Sequence, residues 1–148
     1  MNNVMKTEFS ALAENEAFAR ALAAAFVMPL DPTVEELTEI KTAVSEAVSN
    51  SIIHGYRDCE DSTAAKVSME CAMYDGGKIV ITVEDQGIGI KDVKQAMEPM
   101  FSTGDSEERS GMGFTVMESF TDKLKVRSEE GRGTTVIMIK YLDVVSGI

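Results

Sequence analysis

With 148 residues, 44% of them hydrophobic and 26% charged, the chain has the size and balance of one compact domain around a single core, which excludes general disorder. Its formal charge of -11 opposes a polyphosphate backbone, so nucleic acid is not an expected partner, whereas a basic protein surface or plain solubility would suit it. Cys59 and Cys71 lie in no metal or disulfide spacing and no apolar run reaches the roughly 20 residues of a membrane span, so a reduced, cytoplasmic protein is expected.

Lys6 to Leu12 separates apolar from polar residues as a strand does. Asn15 to Met28, rich in alanine, carries Phe18, Leu22, Ala25 and Phe26 at helical spacing. Pro29, Asp31 and Pro32 break that helix, and Thr33 with Glu36 three residues on is the pattern of a capping box opening a second helix to about His54. Gly55 stands where glycine often follows a helix, and Tyr56 to Ala64 reads as a polar loop.

Lys66 to Met73 and Lys78 to Glu84 read as a hairpin about Asp75-Gly76-Gly77. Gly87, Gly89 and Gly104 then bracket an irregular stretch with Pro99, in which a short helix is expected near Val93 to Met97. After Gly111 and Gly113, Phe114 to Phe120 is helical in pattern; Lys123 to Ser128 and Thr134 to Tyr141 are strands around Glu130-Gly131-Arg132-Gly133. With no repeat and no linker, residues 1–148 are expected to form one domain, with a tail from about residue 142.

Four segments carry residues suited to chemistry. Glu46, Asn50 and His54 recur every four residues, so a continuous helix sets them along one stripe. Such a stripe offers a carboxylate able to deprotonate a hydroxyl and an amide oxygen able to ligate Mg²⁺, although a solvated polar face would give the same spacing. The lone His54 reads as a cap or packing residue. Asp85-Gln86-Gly87-Ile88-Gly89 puts a carboxylate at a strand end before two glycines, where Asp85 could accept from the amino group of a base; a simple strand-to-loop turn is the alternative.

Ser110-Gly111-Met112-Gly113-Phe114 precedes a helical pattern, so its backbone amides are placed to hold phosphate, with Arg109 adding a positive charge; an N-cap and close packing explain the run equally well. Gly133-Thr134-Thr135 turns into the last strand with hydroxyls able to bond inside a pocket, though hairpin chemistry accounts for it too.

Taken in order, Glu46-x-x-x-Asn50-x-x-x-His54-Gly55, Asp85-x-Gly87-x-Gly89, Gly111-x-Gly113 and Gly133-Thr134-Thr135 resemble the ATPase superfamily of gyrase, Hsp90, histidine kinases and MutL. From Phe9 to about Tyr141 the chain more closely resembles the anti-sigma-F factors of spore-forming bacteria, a family of serine protein kinases. The runs that carry this include Leu30-Asp31-Pro32-Thr33, Val44-Ser45-Glu46-Ala47-Val48, Ile52-Ile53-His54-Gly55-Tyr56 and Glu108-Arg109-Ser110-Gly111-Met112-Gly113-Phe114.

The resemblance implies a Bergerat-type α/β (α+β) two-layer sandwich: a mostly antiparallel mixed sheet, helices on one face, nucleotide between the layers. It also implies ATP and Mg²⁺ as cofactors, Asn50 on the metal, Asp85 on adenine, and a lid over about Lys91 to Ser110. The nucleotide site it implies comprises Asn50, Asp85, Gly87, Gly89, Arg109, Ser110, Gly111, Met112, Gly113, Phe114 and Thr134. It further implies a homodimer that binds sigma F with ATP and phosphorylates an anti-anti-sigma factor on serine, controlling sporulation, with Glu46 as base and Arg20 at a partner contact.

The chain departs from the family at Gly104-Asp105, where lysine and proline are frequent, and in a longer polar loop over Arg57 to Ala65. A related general-stress anti-sigma kinase and a non-catalytic ATP-dependent binding module remain open alternatives.

Overall fold

Alternating apolar residues on five strands build one sheet, every pairing of which is antiparallel, with spatial order β1-β2-β3-β5-β4. The strands are β1 (Asn3–Ser10), β2 (Lys66–Tyr74), β3 (Lys78–Asp85), β4 (Lys123–Glu129) and β5 (Gly133–Tyr141). The helices are α1 (Asn15–Val27), α2 (Val34–Asn50), the single turn α3 (Val93–Ala96) and α4 (Gly113–Phe120). The molecule is seen in a computed structural model that describes residues 2–56, 64–97 and 113–143.

One sheet face is covered by the helices. Val67, Met69 and Cys71 of β2, Ile79, Ile81 and Val83 of β3, and Val136 and Met138 of β5 are buried there. Against them lie Ala19, Ala23 and Val27 of α1, Ile40, Val44, Ala47 and Val48 of α2, and Met117 of α4. Each fully buried valine, isoleucine or methionine contributes about 1.5–3 kcal/mol of transfer free energy, so this layer contact is what holds the sandwich together.

The register sets the opposite face: Val4, Ala72, Val80, Ile139 and Lys123 form one transverse row across all five strands. Among the described residues this second face carries no helix, and Val4, Tyr74 and Tyr141 on it are exposed.

Local chemistry explains the element boundaries. The Thr33 hydroxyl accepts from the Glu36 amide at 3.0 Å while the Glu36 carboxylate accepts from the Thr33 amide at 2.9 Å, so the expected capping box is complete. Asp75-Gly76-Gly77 turns the β2–β3 hairpin with φ of 85° at both glycines, a conformation that glycine adopts without a Cβ penalty. The first strand begins at Asn3, three residues before the expected Lys6, because Asn3, Val4 and Met5 already pair with β2. The first helix yields at Val27 to a tighter turn over Met28–Leu30 that ends on Asp31 in the left-handed region.

Two expectations about the second helix are corrected. It is α-helical only to Asn50; Ser51–Gly55 forms a wider turn in which the Tyr56 amide donates to the Ser51 carbonyl, five residues back, at 3.2 Å. Gly55 therefore lies inside that turn instead of capping it. A Cβ added there would sit 3.1 Å from the Asp85 carboxylate, a tight contact that a larger residue would make only by displacing that side chain.

Beyond β5, Leu142 is buried with its amide bonded to the Gly77 carbonyl, and the Asp143 amide donates to Glu36 at 3.0 Å. The β5 residue Lys140 reaches Glu39 of α2 at 3.2 Å and the Phe120 carbonyl at the end of α4 at 3.0 Å, joining the two layers.

Candidate functional site

The site grows from the buried stripe of α2. Ile40, Ala43, Val44, Ala47 and Val48 face the sheet at helical spacing, and the next position on that stripe is Ser51. A buried hydroxyl needs a partner, and Ser51 finds one by donating to Asp85 Oδ2 at 2.7 Å. Asp85 ends β3 on the helix-facing side, 3% exposed, and its Oδ1 accepts from the Gly87 amide at 2.9 Å. Among the described residues no lysine, arginine or histidine pairs with it.

Burial pushes the Asp85 carboxyl above the ordinary aspartate value, against the opposing pull of hydrogen bonds from Ser51 and from the Gly87 and Thr134 amides. A carboxylate offers about four lone-pair positions, so the hydrogen bonds from Ser51 and Gly87 leave acceptor capacity for a further N–H group.

The chain leaves β3 under close constraint. A Cβ on Gly87 would lie 2.0 Å from the Gly55 carbonyl oxygen, so only glycine lets the strand end approach the turn after α2. The Ile88 amide then donates to that same carbonyl at 2.8 Å. Gly89 has φ of 77°, and the Ile88 carbonyl accepts from the Gly131 amide at 2.7 Å, which ties this segment to the β4–β5 hairpin.

Thr134 pairs with Asp85 in register, and its hydroxyl lies 2.8 Å from that of Ser128, which in turn accepts from the Ile90 amide at 2.7 Å. Thr135 points to the other face, donating to Glu84 at 3.1 Å, so of the two hydroxyls in that run only Thr134 belongs to this side.

Glu46 and Asn50 are half-buried on α2, Glu46 more than a turn before Ser51 and Asn50 immediately before it. His54 lies in the wider turn and not on a continued α-helix, so the expected three-residue stripe has α-geometry only through its first two members. Gly113 and Phe114 open α4, and Phe114 packs against the core. Arg109, Ser110, Gly111 and Met112 lie outside the described residues, as do the greater part of the expected lid, including Gly104-Asp105, and residues 57–63 of the polar loop.

Arg20 on α1 donates to Glu16 at 3.2 Å and to Ser45 at 3.3 Å, and Ser45 is also bonded to Glu16. Its side chain is 40% exposed, held beside the residue that precedes Glu46. Sequence reasoning missed Ser51 and Ser128. The signal for Ser51 was present: a lone polar residue continuing the apolar positions 40, 43, 44, 47 and 48.

The family model for the histidine kinase-like ATPase domain matches residues 9–140. The anti-sigma F factor of Clostridium novyi (strain NT) is 56% identical over 140 residues, 95% of each chain. That of Clostridium perfringens (strain SM101 / Type A) is 53% identical over 143 residues, 97% of this chain and 99% of its own. The chain belongs to the anti-sigma F factor family of histidine kinase-like ATPase domains. Among solved structures, the SiaB–SiaC complex of Pseudomonas aeruginosa aligns with TM-score 0.67 at 8% identity, over 91% of this chain and 88% of that one. At that identity it shows the shared two-layer fold and nothing finer.

The ATP that this family uses fits the observed residues: Asp85 is a buried acceptor that has no cationic partner among the described residues and has acceptor capacity left for an N–H group. No helix among the described residues is long and apolar enough to cross a membrane.

Proposed function

We propose that the chain is an ATP-dependent protein-serine kinase and anti-sigma factor, acting as one domain over residues 1–148 and as a cytoplasmic homodimer. In this reading it binds sigma F with ATP to block transcription and phosphorylates an anti-anti-sigma factor on serine, so controlling sporulation. The family membership supports the class. The observation that carries the site is Asp85, buried, holding hydrogen bonds from Ser51 and Gly87 and paired with no cation among the described residues.

Asp85 receives the amino group of adenine, while Gly87 and Gly89 let the strand end lie close to the ring. Asn50 offers its amide oxygen to Mg²⁺, and Thr134 lines the same side of the sheet. The amides at the start of α4, at Gly113 and Phe114, hold phosphate with the help of the helix dipole, together with Arg109, Ser110, Gly111 and Met112 before them. Among the described residues no group of three acid, cysteine or histidine side chains is placed around a metal, so the cation in this reading leans on Asn50 and the phosphates. When bound, ATP supplies the transferable phosphoryl group and Mg²⁺ neutralises charge on it.

Glu46 takes the proton from the partner's serine hydroxyl as that oxygen becomes the nucleophile. Arg20, held by Glu16 and Ser45, presents its guanidinium to a protein partner.

Transfer of labelled phosphate from ATP to a purified anti-anti-sigma factor tests this. Glu46→Gln is expected to keep ATP affinity within about twofold and to lose about 10²–10⁴-fold in transfer rate. Undiminished transfer would remove Glu46 as the base.

A further inference from the structure

Three successive amides leave β3 with three different partners. Gln86 N–H donates to the Tyr56 hydroxyl at 2.7 Å, Gly87 N–H to Asp85 Oδ1 at 2.9 Å, and Ile88 N–H to the Gly55 carbonyl at 2.8 Å. The Tyr56 hydroxyl uses its own proton as well, donating to the Lys66 carbonyl at 2.6 Å. Val67 and Asp85 are the last registered pair between β2 and β3, so Lys66 and Gln86 are the residues that would continue the ladder. A phenol oxygen stands between them. The strands part there, and β3 turns toward the end of α2, where Gly87 meets Gly55.

We propose that Tyr56 is a positioning residue for nucleotide recognition, its hydroxyl fixing the 86–88 turn so that Asp85 presents a single carboxylate orientation to the base. The inference rests on the ATP reading of the site. The ring of Tyr56 is partly buried and packs against the core, which anchors the hydroxyl. Its position in sequence, directly after Gly55, means that one dipeptide holds both amides that flank Gly87.

Base selectivity depends on this because a carboxylate that accepts from the 6-amino group of adenine repels the 6-oxygen of guanine only while it cannot swing away. A polar site built for one hydrogen-bonding pattern discriminates by leaving the wrong ligand unpaired, and a loosened acceptor loses that penalty. Tyr56 touches neither the base nor the phosphate in this scheme; it acts through Gln86, Gly87 and Asp85.

The test is Tyr56→Phe in the full chain, which keeps the ring and removes the oxygen. Binding of ATP and of GTP is measured by calorimetry, and transfer to the partner protein by initial rates. We expect ATP affinity to fall about tenfold, the loss of roughly one net hydrogen bond, with the ATP-to-GTP preference narrowing. The KM for ATP should rise while kcat stays within about twofold. Unchanged ATP affinity and preference, with or without a lower melting temperature, would make the hydroxyl merely structural and overturn the proposal.

Wild-type protein that binds no ATP would defeat the kinase reading itself, a different result from a wild type that binds and a variant that binds equally. Should Tyr56→Phe not fold, amide exchange in the wild type decides. The Gln86 and Gly87 amides should be protected together and slow further with ATP; fast exchange at Gln86, or indifference to ATP, would overturn the assignment.

Discussion

Asp85 costs stability where it stands. Burial favours its protonated form, and the donors from Ser51, Gly87 and Thr134 offset that only in part, so its folded value lies above the ordinary one. The folded state therefore holds the proton to higher pH than the unfolded state does. The stability contributed by this group is present at low pH and lost as pH rises through the folded value. In ligand-free protein, the urea midpoint of the wild type relative to Asp85→Asn should fall from mildly acid pH to neutrality. A difference that is the same at every pH would contradict the buried, uncompensated state of this carboxylate.

The sequence marks Asp85 as a carboxylate at a strand end before two spaced glycines, a pattern that a plain strand-to-loop turn fits as well; its burial against Ser51 is visible only in the fold. Ser51 was not read, although it sits on the core stripe. Its meaning depends on what lies across from it, 34 residues along the chain.

At the scale of elements, α2 carries the site and its start is fixed by the reciprocal bonds of Thr33 and Glu36. Burial pushes the Glu36 carboxyl up, but hydrogen bonds from the Thr33 and Asp143 amides and the Thr33 hydroxyl, with the charge of Lys140, bring it below its ordinary value. Its contribution is present above the unfolded value and lost as pH falls through the folded one. Thr33→Ala should cost about 1 kcal/mol in urea unfolding at neutral pH, with the deficit shrinking in acid. No change at neutral pH would mean that the box does not hold the helix.

The capping box and the Asp75-Gly76-Gly77 hairpin could be read in advance because each is a short-range device written in adjacent residues. The wide turn over Ser51–Gly55 could not, because the spacing that marks an α-helix continues across it: Ile52 and Ile53 fit either winding. The same limit applies to Gly55, which the sequence suggests as a cap and the structure places against Asp85.

Over the whole molecule, the family resemblance implied two layers, but the strand order β1-β2-β3-β5-β4 depends on long-range pairing that no local pattern shows. It is this order that makes Asp85 and Thr134 neighbours and sets both beneath the end of α2. Net charge of -11 agrees with the proposal that phosphate is held through backbone amides and a few polar side chains, with bulk positive charge playing little part.

Everything proposed for Glu46, Asn50, Arg20 and Tyr56 presupposes that ATP lies against Asp85. Thermal melting with and without Mg²⁺-ATP addresses that point directly, since a ligand bound only by the folded state raises the midpoint. The wild type should melt higher with Mg²⁺-ATP, and Asp85→Asn, folded on its own, should show little or no increase. A wild type that does not shift, or an Asp85→Asn variant that shifts as far, would contradict the site described.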